Sequence, residues 1–452
     1  MVEIKPFKAT ILNPKLGDRD GMVCPVYDSI DAAGYEGYSA KKNNVIHFTT
    51  RKEGTGEDEF VNYAKRSIDR FFDDGILVER EKASFYVYGI RYRLSQEIME
   101  QIPEADRRGT YFALGLVALV RVEELNEHGI SGHEKTFEVN TRERYHLMRE
   151  CGMNFSPIVA EYNMPTHDIN NALEDYLGFH RPDLRIGEHR KPIMDVVLNG
   201  ARHLLWELSD KKIIGEIQEL MRGKKILILD GHHRYAASYR LSGDREPYTL
   251  MMLLDGEDRN VLLLPWHRCM KKCRMGELWK RIEANFVVER YDKGGSGAKG
   301  GSYDKSKSAD RRKDDVKIVC SKLNEREHEF GVKLGMYDGE KLYLLRADKK
   351  RTIEMAENRG ELVGLDSIIL QEWLIDPTLI GKPEDIVLTP SPGDAIEKVD
   401  MGAYRVAFFL RSMTIADVEY KARVERKKFP QKSTRFLPKV AEGVVMRKFP
   451  QD

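Results

Sequence analysis

Lys225-Ile226-Leu227-Ile228-Leu229-Asp230-Gly231-His232-His233-Arg234-Tyr235 is the stretch that decides the reading of this chain. Four consecutive branched apolar residues, 226–229, read as a short buried strand. Asp230-Gly231 is a turn pair that stops it. Arg234 to Ser242 then reads as a helix closed by Gly243. A strand that ends at a glycine and enters a helix points backbone N–H groups and the positive end of the helix dipole outward. Gly231 is expected to let a ligand approach the backbone, and Arg234 to fork onto a phosphate or carboxylate. Asp230, His232 and His233 add an acceptor and two imidazoles at the same place.

Working outward, Lys211 to Met221 carries Ile213, Ile214, Ile217 and Leu220 at helical spacing. Ala83 to Ile90, Thr110 to Val122, Ser156 to Tyr162, Tyr248 to Leu254 and Val261 to Leu264 read as strands. Pro165 to Leu177 and Arg142 to Cys151 read as helices, and 196–208 shows no clear period. Beyond residue 318, Phe330 to Leu345 reads as paired strands about Asp338-Gly339. Ala403 to Leu410 reads as a strand, and Thr414 to Arg426 as a helix. Strands interleaved with helices predict an α/β fold.

The chain has 452 residues, which predicts more than one domain. Its charged fraction is 33%, yet the formal net charge is +1, so no large basic field points to nucleic acid. No apolar run approaches the roughly 20 residues of a membrane helix. The first residues lack the charged and apolar regions of a secretory signal. The five cysteines are scattered, which fits free thiols in a cytoplasmic protein. Residues 293–315 are rich in Gly, Ser, Lys and Asp and read as a solvated insert.

Three further constellations carry candidate chemistry. His133-Glu134-Lys135-Thr136, with Arg142 and Arg144 downstream, offers a carboxylate that could act as a general base. Pro265-Trp266-His267-Arg268 follows an apolar run, where site residues often lie. Gln431-Lys432-Ser433-Thr434, followed by Lys439, sets a cation beside two hydroxyls, as phosphate contacts require, without the glycine cradle of a P-loop. The set His133, His232, His233 and His267 could instead bind a metal and serve hydrolysis.

In this order the segments resemble the domain of unknown function 1015 family, whose members are often labelled ParB-like. The resemblance begins at Pro25-Val26-Tyr27-Asp28. It continues through His133 to Thr136, Asn154 to Ile158, Leu205-Trp206, Asp230 to Tyr235 and Leu264 to Arg268, and ends at Pro430 to Lys439. Leu229, Trp266 and Arg435 stand where the family favours alanine, threonine and tyrosine, and Val26 replaces a proline. The His-Glu pair with the later Asp-Gly-His-His-Arg turn is also similar to the free serine kinases of the ParB/sulfiredoxin-like fold.

That likeness implies an α/β fold with a mixed sheet, a ParB/sulfiredoxin-like core, and α/β extensions at both ends. The expected division is 1–125, a core at 126–290, a flexible charged insert at 291–318, and a C-terminal segment at 319–452. The resemblance implies a nucleotide-dependent phosphotransferase for a small hydroxyl metabolite such as free serine, using Mg²⁺ with ATP or ADP, or CTP. Glu134 would be the base, helped by Asp230 and His233. Gly231, His232, Arg234, Tyr235, His133, Trp266, His267, Arg268, Lys432, Ser433, Thr434 and Lys439 would bind substrate or nucleotide. A nucleotide-switched partner protein without metabolite chemistry is the second expectation.

Overall fold

A computed structural model describes residues 2–179, 190–243, 246–291, 308–325, 330–348, 350, 366–423 and 434–450. Its first body is one nine-stranded sheet. In chain order the strands are β1 (Ile4–Lys5), β2 (Phe85–Tyr92), β3 (Tyr111–Arg121), β4 (Ile130–Gly132) and β5 (Ile158–Tyr162). They continue with β6 (Met194–Leu198), β7 (Ala201–Leu208), β8 (Ile226–Asp230) and β9 (Tyr248–Asp255). The spatial order is β6-β7-β2-β3-β9-β5-β8-β4, with β1 on the free part of β3. β8 runs parallel to β4 and β9 parallel to β5, while β5 and β8 are antiparallel. The fold is therefore α/β with a mixed sheet, as expected.

Both faces of this sheet are covered, which explains why its strands read as continuous apolar runs. Phe85 and Val87 enter one core, and Tyr86, Tyr88 and Ile90 the other, at the two-residue period of a strand. On one face lies α1 (Glu57–Asp73), which buries Phe60, Ala64, Ile68 and Phe71 at helical spacing. On the other lie α3 (Asp168–Leu177) and α4 (Lys211–Met221). On the face of α1, α2 (Glu138–Cys151) packs on α5 (His232–Ser242), the helix that follows the Asp-Gly turn.

The stretch 196–208, without a clear period, is an antiparallel hairpin reversing at Asn199-Gly200, both at positive φ. The expected boundary near residue 125 falls between strands of one sheet, because β2 and β3 pair with each other and β3 pairs with β9.

The second body is a six-stranded antiparallel sheet. Its strands are β10 (His267–Met270), β11 (Val287–Tyr291), β12 (Phe330–Tyr337), β13 (Leu342–Asp348), β14 (Ile386–Thr389) and β15 (Val406–Phe409), ordered β11-β13-β12-β15-β10-β14. The charged insert is shorter than expected. Residues 292–307 lie outside the described residues, but Ser308–Asn324 is helical and seats Val319, Cys320 and Leu323 against this sheet. Those three apolar residues follow the charged run at helical spacing, which anchors the helix. All five cysteines are free thiols, and no helix among the described residues is long and apolar enough to cross a membrane.

The C-terminal segment does not form a unit of its own. Residues 434–449 return to the first body. Arg435–Leu437 pairs with Leu262–Leu264, Ala441 and Glu442 with Pro25 and Cys24, and Arg447 and Lys448 with Asn154 and Met153. Val440, Ala441, Val444, Val445 and Met446 are buried, which is what fixes this strap in place. Glu442 is carried in with them, 2% exposed, and accepts from Ser156 Oγ at 3.0 Å. Burial pushes its carboxyl up to about 7, although Arg234 pulls the other way.

Two outcomes follow. At Gly89 an added Cβ would sit 2.7 Å from Phe112 Cζ and 3.0 Å from Trp206 Cζ3. Gly89→Ala should cost roughly 1–3 kcal/mol by overpacking, read as a lowered denaturation midpoint. An unchanged midpoint would contradict the packing. For Glu442, the folded state keeps a proton that the unfolded chain releases near 4.5, so its stabilising effect is present below that pH and lost as pH rises through about 7. Glu442→Gln removes the effect. Its stability relative to the parent should rise between pH 5 and 7.5 by up to about 3 kcal/mol. Parallel stability curves for the two proteins would show that Glu442 does not titrate there.

Candidate functional site

β4 and β8 are parallel neighbours, with Ile226 opposite Ile130 and Ile228 opposite Gly132. The chain therefore leaves both strands at the same edge of the sheet. His133-Glu134 emerges from β4 beside Gly231-His232 from β8, although about a hundred residues separate them in sequence. Crevices at the carboxyl ends of parallel strands are where open α/β sheets hold ligands.

Gly231 has φ +93° and begins α5 with no side chain capping the helix. A Cβ there would lie 2.9 Å from Arg234 Nη2 and 3.0 Å from its Cζ. The glycine is thus required twice, by its left-handed backbone and by its own neighbour. Arg234 folds back rather than outward. Its Nη1 donates to Ser156 Oγ at 2.8 Å and to the Pro157 carbonyl at 2.7 Å, and Nη2 donates to Asp230 Oδ2 at 2.8 Å. The guanidinium expected at a phosphate is an internal brace, because three acceptors already surround its terminal nitrogens.

Asp230 is 9% exposed, and its other oxygen is bound by the Lys439 ammonium. Burial alone would raise this carboxyl. Lys439 and Arg234 together overcome burial and hold it below the ordinary carboxylate range.

The imidazoles are oriented by groups that can only donate or only accept. His133 Nδ1 faces the Ile228 carbonyl at 2.9 Å, so it carries the proton. Its Nε2 then accepts from Thr434 Oγ1 at 3.0 Å. Burial pushes this ring down to about 4, so it is neutral. The backbone N–H of His133 donates to His232 Nε2 at 3.3 Å, and that of Phe137 to His233 Nε2 at 3.0 Å. The adjacent histidines thus grip the backbone on either side of Glu134. His232 Nδ1 is left as the N–H, 3.8 Å from Glu134 Oε2. Burial lowers the His233 imidazole, with the Asp28 carboxylate opposing it. The Glu134 side chain is 17% exposed and that of Lys439 is 34% exposed, so these two reach the surface of an otherwise buried cluster.

Thr434 also accepts, through its carbonyl, the Trp266 indole N–H at 3.2 Å, which brings Trp266 to the edge of the cluster. Lys432 and Ser433 lie outside the described residues. His267 and Arg268 do not join. They sit on β10 in the second body, 1% and 2% exposed. His267 Nε2 faces Gln101 Oε1 at 3.2 Å, its Nδ1 accepts from Leu410 N at 3.3 Å, and burial pushes the ring down to about 3. Arg268 bonds Gln371, and burial lowers it to about 10. The four histidines therefore do not converge, and among the described residues no group of three His, Cys, Asp or Glu is placed to hold a metal. The Tyr235 hydroxyl donates to the Glu123 carbonyl at 2.7 Å and braces a loop.

Two members of the cluster were not foreseen. Ser156 and Glu442 continue the brace from Arg234. The signal for Glu442 is a lone carboxylate inside the apolar run Val440 to Met446. A wide cleft lies elsewhere, at the opposite edge of the sheet.

No curated protein matches this sequence. Among solved structures, a free serine kinase in complex with AMP is similar at 11% identity over 70% of this chain and 89% of that chain, with a TM-score of 0.33. SbnI with C-terminal truncation from Staphylococcus aureus is similar at 10% identity over 72% and 85%, with a TM-score of 0.32. A conserved hypothetical protein from Pyrococcus furiosus is similar at 13% identity over 70% and 93%, with a TM-score of 0.30. At superpositions this loose, none of them assigns a role to a residue here. Residues 4–368 match the protein of unknown function DUF1015, which covers most of the sequence, and the chain belongs to that family.

Proposed function

We propose that the protein is a nucleotide-dependent phosphotransferase acting on the hydroxyl of a small metabolite, with free serine the first acceptor to test. One observation carries the reading. The helix that begins at the Asp-Gly turn presents its uncapped N-terminus, and its first two side chains hold Glu134 beside that same N-terminus. An anion site and a carboxylate base are thereby built by one element. Phosphoryl transfer asks for this pairing, since it needs cradled anionic oxygens and one group to take a proton.

In this reading the nucleotide phosphates lie at the N-terminus of α5, near the Lys439 ammonium. Glu134 takes the proton of the attacking hydroxyl as its oxygen bonds the terminal phosphorus and the bridging oxygen departs with the nucleotide. His232 and His233 are positioning residues, because they bond the backbone around Glu134 rather than a ligand. Asp230 and Arg234 fix the turn. ATP, ADP and CTP are the nucleotides to try. Mg²⁺ would arrive with the nucleotide phosphates, the ligands it ordinarily keeps beside water. When bound, it would neutralise charge on the phosphate oxygens.

Glu134→Gln should lower turnover by about 10²–10⁴-fold, the usual weight of a general base, while nucleotide affinity stays near that of the parent. A panel of hydroxyl metabolites that yields no phosphorylated product with any of the three nucleotides would sink the reading. Tight nucleotide binding without such a product would point to a nucleotide-switched binding protein instead. His233→Ala, which leaves the Phe137 N–H without its imidazole, should reduce kcat by up to about 10²-fold with little change in KM, the signature of a misplaced base. A change confined to KM would mean that His233 touches substrate.

A further inference from the structure

β5 and β9 are the other parallel pair, and because β5 runs antiparallel to β8 their carboxyl ends lie at the far edge of the sheet from Glu134. A cleft of about 950 Å³ opens there, within the size of small-molecule sites. Five arginines reach it from four segments: Arg91 and Arg93 at and just beyond the end of β2, Arg108 before β3, Arg202 on β7 and Arg259 after β9. Arg202 forks onto Asp195 at 2.6–2.8 Å. Arg108 contacts the Asn260 amide oxygen at 3.5 Å, and Arg91 lies 5.7 Å from the Phe112 ring centre. Glu174 and Glu257 also line the cleft, as does Asp258, whose carboxyl is raised by burial.

At the cleft wall His167 Nδ1 donates to Asp255 Oδ2 at 2.6 Å. Asp255 is fully buried, and its other oxygen accepts from the Glu257 backbone at 3.0 Å. A carboxylate can only accept, so Nδ1 donates to Asp255, and in the imidazolium form Nε2 carries the second proton and can donate to an anion in the cleft. The His167 side chain is 41% exposed, in a residue held at φ +54°. A buried carboxylate orienting a half-exposed imidazole stands here beside guanidinium groups from several elements. It matches what a multiply charged oxyanion requires, namely forked donors from more than one side.

We propose that this cleft is a second ligand site, separate from the Glu134 cluster, that binds a phosphorylated small molecule through Arg91, Arg108, Arg259 and the oriented imidazole of His167. The proposal does not depend on the phosphotransferase reading.

The test uses full-length protein with ¹³C-labelled histidine and inorganic pyrophosphate as the probe, at matched ionic strength. The chain has 12 histidines, and His167→Gln identifies the His167 cross-peak. Pyrophosphate should shift that peak saturably. The double variant Arg91→Ala, Arg259→Ala should weaken the apparent affinity about tenfold or more, as expected for lost charge-assisted bonds. The remaining histidine peaks report whether the variant is folded. If it is not, Arg259→Glu on the exposed turn replaces it. No shift, an equal shift with sodium chloride alone, or a shift of equal affinity in the arginine variant would each overturn the proposal.

Discussion

Two ring lone pairs hold the candidate centre together. The Nε2 atoms of His232 and His233 accept the backbone N–H groups of His133 and Phe137, and the loop between those residues carries Glu134. Each such bond is worth about 1 kcal/mol net, but a buried N–H left without its acceptor costs more than the bond contributes. The arrangement is therefore set by avoidance of unpaired donors as much as by attraction. It also requires both rings to be neutral at Nε2, since a protonated nitrogen there would face another donor. The lowered basicity of His233, which burial causes, suits that requirement.

Beneath the rings runs a second chain of contacts. Glu442 accepts from Ser156, Ser156 from Arg234, and Arg234 donates to Asp230, whose other oxygen meets Lys439. Asp230 sits between the cations Arg234 and Lys439 on a largely buried path, and the Glu442 carboxyl, raised by burial, ends it. Removing Asp230 leaves buried charge without its partner, which is far costlier than the set is stabilising. This ties the turn at 230–231 to the C-terminal strap, and it explains why Arg234 points inward.

The strand, turn and helix at 226–242 were legible because each had its own local signal: a run of branched residues, an Asp-Gly pair and a closing glycine. The convergence of His133-Glu134 on that turn followed only from the resemblance, because no local pattern records that two distant strands lie parallel side by side. The direction of Arg234 was not legible either. An arginine after a glycine turn looks the same in sequence whether it reaches outward or folds over the glycine, and the choice is made by Ser156 and Pro157 on another strand. His267 and Arg268 follow an apolar run like site residues, yet they are core members of a second sheet whose other strands come from as far away as residue 409. Residues 308–318 read as insert because their charges hide that they open a helix whose apolar anchors, Val319, Cys320 and Leu323, come only after them.

The strap at 434–449 has a consequence for how the molecule is made. The antiparallel sheet of residues 267–409 is an insertion between two parts of the first body, and Thr434, Lys439 and Glu442 come after it in the chain. During synthesis the first sheet emerges with its Asp230 carboxylate uncompensated by lysine and with the grooves beside Cys24 and Met153 unfilled. The ribosome must deliver the whole inserted sheet before the last strands can dock. Assembly of the centre is thus a late event, which keeps it open until the rest of the protein exists.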